Sequence, residues 1–157
     1  MLNKTDHFAY VIGYPDGTVH PNGQITRAEV ATIFFRLLRD EVRDGAFTTS
    51  NSYSDVAYGK WYNNPISTMS ALGIITGYPD GTFKPNKPIT RAEFAVVAAQ
   101  FSDARYSGPD KFSDISGHWA EETILEAVYR GLFNGVSSDL FDPDSAITRA
   151  MFVTVLY

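Results

Sequence analysis

An all-helical fold of repeated helix–loop–helix units is predicted by three features of this 157-residue chain. The tetrapeptide Ile-Thr-Arg-Ala recurs at Ile25, Ile89 and Ile147, each time twelve residues after a glycine. Two copies continue into a glutamate and then into apolar residues at helical spacing. A turn-rich segment, Gly-Tyr-Pro-Asp-Gly-Thr, precedes the first two copies, at Gly13 and Gly77. Regular self-similarity on this scale marks tandem supersecondary units that bury their cores against one another.

The helix after each tetrapeptide has a well-marked start. In Thr26-Arg-Ala-Glu29 and Thr90-Arg-Ala-Glu93 a threonine N-cap and a glutamate three residues on make a capping box. Ile25 and Ile89 can staple onto Val30 and Phe94. The stripes Val30-Ile33-Phe34-Leu37 and Phe94-Val97-Ala98-Phe101 then face a core. The third copy, Thr148-Arg-Ala-Met151, loses the glutamate and keeps the staple pair Ile147 and Phe152.

A second helix type precedes the later two copies. Tyr53-Ser-Asp55-Val56 leads to Trp61, and Phe112-Ser-Asp114-Ile115 leads to Trp119. Trp61-Ile66-Met69-Leu72 and Trp119-Ile124-Ala127-Val128 follow helical spacing. Pro65 falls in the first turn, and Gly73 and Gly131 stand where a glycine C-cap belongs. Both tryptophans are expected to open core-facing helices. Val19, Phe83 and Phe141 are expected to tuck the loops onto the core. The repeats lie at about 1–40, 53–102 and 112–157, with polar linkers at 41–52 and 103–111.

Arg27, Arg91 and Arg149 are not explained by helix stability, because each stands at the first helical position, where the dipole repels a cation. An arginine beside unfilled helix-start amides is a receptor for a carboxylate or phosphate. Pairing with a nearby acid such as Asp16, Asp80 or Asp142 is the structural alternative. Net charge is -5, which argues against a nucleic-acid binder. No apolar run approaches membrane-spanning length, and no cysteine is present for disulfides or thiolate chemistry. His7, His20 and His118 occupy three different repeat positions, so neither a metal site nor a shared catalytic base is suggested. Asp55 and Asp114 read as cap or turn residues rather than a glycosidase pair. Asp142-Pro-Asp144 lacks the ligand density of a calcium loop. No metal, cofactor or catalytic residue is expected.

These linked motifs resemble the S-layer homology domain family over nearly the whole chain, with Tyr53 to Phe101 close to the family pattern throughout. The resemblance implies a pseudo-threefold arrangement of three modules around a central helical bundle, with grooves between modules. It also implies a non-enzymatic, extracellular module that anchors proteins non-covalently to secondary polysaccharides of the Gram-positive cell wall, often ones with pyruvylated N-acetylmannosamine. Carried residue by residue, it makes Arg27, Arg91 and Arg149 the anion contacts, with Gly13, Tyr14, Asp16, Gly77, Tyr78 and Asp80 as loop walls. Trp61 and Trp119 could stack on sugar, and Lys84, matched by His20, could assist an anion. The competing class is an assembly module whose arginines make interfacial salt bridges.

Departures from the pattern are informative. The third loop has Val136 where Tyr78 stands and Asp142 where Lys84 stands, so its groove is expected to be the weakest. The first module lacks its opening helix, because the tryptophan equivalent would precede Met1. Met1 to Ile12, including His7-Phe8-Ala9-Tyr10, is then expected to cover the exposed core. The short third capped helix suggests a fragment of a larger protein, and a second copy could complete the bundle.

Overall fold

The computed structural model describes residues 1–3, 11–103 and 105–156. The expected cover by His7 to Tyr10 lies outside the described residues. Among the described residues there are six helices: α1 Arg27–Leu37, α2 Asp40–Ala46, α3 Asn63–Ala71, α4 Arg91–Ala99, α5 Glu121–Tyr129 and α6 Arg149–Leu156. Among the described residues there are isolated β-bridges and no strands, so the fold is all-α.

The capped helices α1 and α4 begin as their sequences require. The Thr26 and Thr90 side chains accept from the Glu29 and Glu93 amides, and each glutamate reaches back to its N-cap amide. In α6 half the box survives, as the Met151 amide donates to Thr148 Oγ1 at 3.2 Å. The staple residues Ile25, Val30, Ile89, Phe94, Ile147 and Phe152 are all buried. Phe34, Phe94 and Phe152, one from each capped helix, meet with ring centroids 5.0 to 6.2 Å apart. The core therefore runs between the three capped helices.

The opening helices α3 and α5 pack against α1 and α4 respectively, so each covers the capped helix of the preceding repeat. Both end in a Schellman motif. Gly73 and Gly131 stand at φ +70°, and Ile74 N donates to Met69 O as Leu132 N does to Ala127 O. Two expectations change here. Trp61 and Trp119 do not open core-facing helices; they sit in the turns before α3 and α5 and are 61% and 67% exposed. The adjoining Tyr62 and Ala120 are buried in their place, because the turn presents the next residue inward. Phe83 and Phe141 are fully buried as expected, but Val19 is 54% exposed, its shorter side chain failing to reach the core. The polar stretch after α1 contains α2, whose Arg43 pairs with Asp40 one turn back and which packs on α3.

Loop-to-helix contacts join the repeats in a closed sequence. Arg27 and Ala28 amides donate to Lys87 and Pro85 carbonyls, Arg91 and Ala92 to Ser145 and Pro143, and Arg149 and Ala150 to Gly23 and Pro21. Repeat 1 thus leans on repeat 2, repeat 2 on repeat 3, and repeat 3 on repeat 1. Bridges Thr26 to Pro88, Thr90 to Ala146 and Gln24 to Thr148 follow the same order.

Candidate inter-repeat binding grooves

The helix-start amides that sequence reasoning left free for an anion are already filled by those loop carbonyls. The arginines beside them are spent as well. Arg27, Arg91 and Arg149 are 3%, 5% and 6% exposed. Each crosses to the next repeat. Arg27 Nε donates to Phe83 O at 2.9 Å and its Nη2 to Thr76 O at 2.7 Å. Arg91 does the same to Phe141 O and Asn134 O, and Arg149 to Val19 O and Ile12 O. A buried guanidinium needs such partners, since charge out of water is costly unless hydrogen-bonded.

The acidic partners are not Asp16, Asp80 or Asp142. Arg27 Nη1 pairs with Glu93 at 3.1 Å, and Arg149 Nη1 approaches Glu29 at 3.9 Å. Each capping-box glutamate therefore serves twice, closing its own helix and receiving the arginine of the preceding repeat. Met151 occupies that position opposite Arg91, so Arg91 has no ion pair among the described residues. Burial lowers the Arg91 pKa, partly offset by the charges of Asp142 and Asp114. The signal was in the sequence: Glu29, Glu93 and Met151 vary where the capping box alone would be read.

The loop acids build turns. Asp80 Oδ1 accepts from the Thr82 amide at 2.9 Å and hydroxyl at 2.6 Å, and Asp16 does the same with Thr18. Those bonds, the hydroxyl first, hold both carboxyls below their ordinary pKa. Asp55 and Asp114 each clamp two amides of their loop, Phe83 with Lys84 and Phe141 with Asp142. Lys84 and Asp142 carry positive φ, a backbone that such a clamp steadies. Gly77 is required by packing, since a Cβ there would collide with the Tyr53 ring and the Thr82 carbonyl.

Two equivalent grooves result. A cavity of about 500 Å³ is lined by Arg27 of the first repeat, the Gly73 to Pro79 segment of the second with Glu93, Val96 and Val97 of α4, and Trp119 of the third. A smaller recess of about 130 Å³ is lined by Arg149, by Ile12, Glu29, Thr32, Ile33 and Arg36, and by Trp61. Each groove takes residues from all three repeats, so neither exists before the chain closes on itself.

In the Trp119 groove the polar floor is a connected network. Glu93 receives Arg27, the Tyr78 hydroxyl at 2.5 Å, the Thr90 amide and, at 3.4 Å, Lys87 Nζ. Burial alone would raise the Glu93 pKa; Tyr78, Arg27, Thr90 and Lys87 together hold it below the ordinary value. Burial, reinforced by the bond to Glu93, pushes the Tyr78 phenol up. Lys87, which also donates to Tyr78, is raised chiefly by that bond. Lys84 Nζ lies 4.4 Å from the Tyr78 ring centroid and pairs with Asp80. Tyr14 is the counterpart in the first loop, with the Arg149 guanidinium 5.0 Å from its ring centroid and His20 edge-on. Of the predicted site residues, Arg27, Gly77, Tyr78 and Trp119 meet in one groove and Arg149 and Trp61 in the other. Gly13, Asp16, Asp80 and Lys84 support the loops behind them, and Arg91 faces the third loop. Glu93, Glu29, Lys87 and Arg36 escaped sequence reasoning.

The S-layer homology domain model matches residues 9–31, 52–95 and 111–151. The chain belongs to the S-layer homology domain family. Over an alignment 164 positions long, gaps included, this S-layer homology chain is 40% identical to Cell surface glycoprotein 1 of Acetivibrio thermocellus, covering 96% of the chain and 7% of that protein. It is 36% identical to the Cellulosome-anchoring protein of the same organism, covering 96% of the chain and 35% of the relative. It is 33% identical to Amylopullulanase of Thermoanaerobacterium thermosulfurigenes, covering 94% of the chain and 8% of the relative. The S-layer homology chain thus spans about a third or less of these relatives. No described helix is long and apolar enough to cross a membrane.

Proposed function

We propose that the chain is a non-catalytic anchoring module of the bacterial cell surface, holding a secondary polysaccharide of the Gram-positive wall in its inter-repeat grooves. The observation that carries this reading is the pair of equivalent grooves, each with an exposed tryptophan on its rim over a buried arginine paired with a partly buried glutamate. A sugar has an apolar C–H face and polar edges. A groove with an aromatic rim, aliphatic walls such as Ile74, Ile75 and Val97, and a few fixed polar groups complements both. The same segment accompanies a surface glycoprotein, a cellulosome-anchoring protein and an amylopullulanase, which suits a carrier whose role is independent of its cargo.

The equivalent contacts support the pseudo-threefold arrangement expected for such a module. They also argue against interfacial salt bridges as the purpose of the arginines, because each is buried and hydrogen-bonded to carbonyls of its own chain. A pyruvyl ketal on N-acetylmannosamine remains our preferred ligand group. Arg27 is compensated by Glu93, so direct contact with the ligand falls to the groove walls and rims. The expected outcome is co-sedimentation of the protein with purified Gram-positive sacculi, lost when the secondary polysaccharide is stripped from them. Equal sedimentation with stripped sacculi contradicts the reading.

A further inference from the structure

The groove-facing stripe of each capped helix is set by helical spacing, and the two stripes differ. On α1 it reads Glu29, Thr32, Ile33, Arg36; on α4 it reads Glu93, Val96, Val97, and the position matching Arg36 falls on Gln100, the C-cap just beyond α4, which does not line the cavity. Glu29 is committed to the Thr26 amide at 2.9 Å and faces Arg149 at 3.9 Å. Arg36 is exposed, lines the recess beside Trp61 and makes no ion pair or hydrogen bond among the described residues. Its counterpart Gln100 is neutral and turns its amide to Val96 O. In the Trp119 groove the cations Lys84 and Lys87 lie behind Tyr78, each already partnered, and neither lines the cavity. An uncommitted cation therefore lines the small recess, whereas the larger cavity has aliphatic walls and a compensated Arg27–Glu93 floor.

Resting on the glycan reading above, we infer that the two grooves divide the recognition of one polymer. The Trp119 groove holds a sugar ring, and the Trp61 recess captures an anionic substituent, carboxylate or phosphate, through Arg36. Volume agrees with this assignment: about 500 Å³ falls within the range of pockets that enclose a small organic ligand, while about 130 Å³ holds little more than a substituent. A free guanidinium offers paired donors to either anion, and being exposed it binds without first breaking a native contact.

The test is calorimetric titration at low salt of wild type, Arg36→Gln and Arg36→Lys with wall polysaccharide released from Acetivibrio thermocellus by muramidase. The polymer is used intact, carboxyl-reduced, and dephosphorylated with hydrofluoric acid. We expect Arg36→Gln to weaken binding of intact polymer about fivefold, as for an exposed charge pair, with Arg36→Lys falling between the two because it keeps the charge and loses the paired donors. One of the two treatments should erase the difference between wild type and Arg36→Gln, and which one identifies the anion. Equal affinity of wild type and Arg36→Gln for intact polymer overturns the role of Arg36 while leaving glycan binding intact. Failure of wild type to bind any of the three polymers overturns the glycan reading and this inference together.

Discussion

Glu93 is the residue at which local and global structure meet. Its carboxylate closes the α4 capping box, receives Arg27 from the preceding repeat and anchors Tyr78 in the groove. Glu93→Gln leaves a buried guanidinium uncompensated and should destabilise the fold by about 3 kcal/mol, a fall in Tm of about 10 °C for a chain of this size. The sign of the pH dependence follows from the lowered Glu93 pKa. Its contribution is present above the unfolded carboxylate value of about 4.3 and is lost as pH falls through the lower folded value. Melting curves of wild type and Glu93→Gln should therefore converge in acid; a gap that persists below that value contradicts the assignment. Met151→Glu supplies the missing partner of Arg91 and completes the third capping box, and thermal melts should show a gain of about 1 kcal/mol. The sequence showed that the arginines needed a partner beyond helix stability. It could not show where that partner lay, because the glutamates already had a sufficient local explanation and the pairing spans 66 residues.

At the scale of elements, the capped helices and the glycine stops were legible because they follow from local chemistry: a threonine oxygen reaching an orphan amide, a glycine free to adopt positive φ. Gly73→Ala, forced into φ +70° at the end of α3, should cost about 1 kcal/mol in a urea titration. An unchanged midpoint would contradict the Schellman assignment. The opening helices were legible in position but their tryptophans were misplaced. Helical spacing put Trp61 and Trp119 on the inner face, whereas each precedes its helix by two residues and lies outside that periodicity. Helix α2 was hidden because none of its seven residues is fully buried and only Val42 packs partly on the core, too little to create an apolar period. Arg36 looks like any solvated helix residue until the third repeat places Arg149 in the same recess.

For the whole molecule, hydrogen bonds that run from repeat 1 to 2, 2 to 3 and 3 back to 1 make the modules mutually dependent. Unfolding in urea should give one transition, with tryptophan fluorescence from repeats 2 and 3 and far-UV circular dichroism superimposing. Separated transitions would contradict closure. The grooves inherit that dependence, since each needs all three repeats. The claim that joins fold to function is that the exposed tryptophan rim touches the ligand while the buried arginine floor holds the repeats together. It is tested most directly by titrating Trp119→Ala with Gram-positive wall polysaccharide and recording its melting temperature in the same buffer. The account predicts a loss of affinity of about tenfold or more, corresponding to about 1.4 kcal/mol, at an unchanged melting temperature. Wild-type affinity in Trp119→Ala would contradict it.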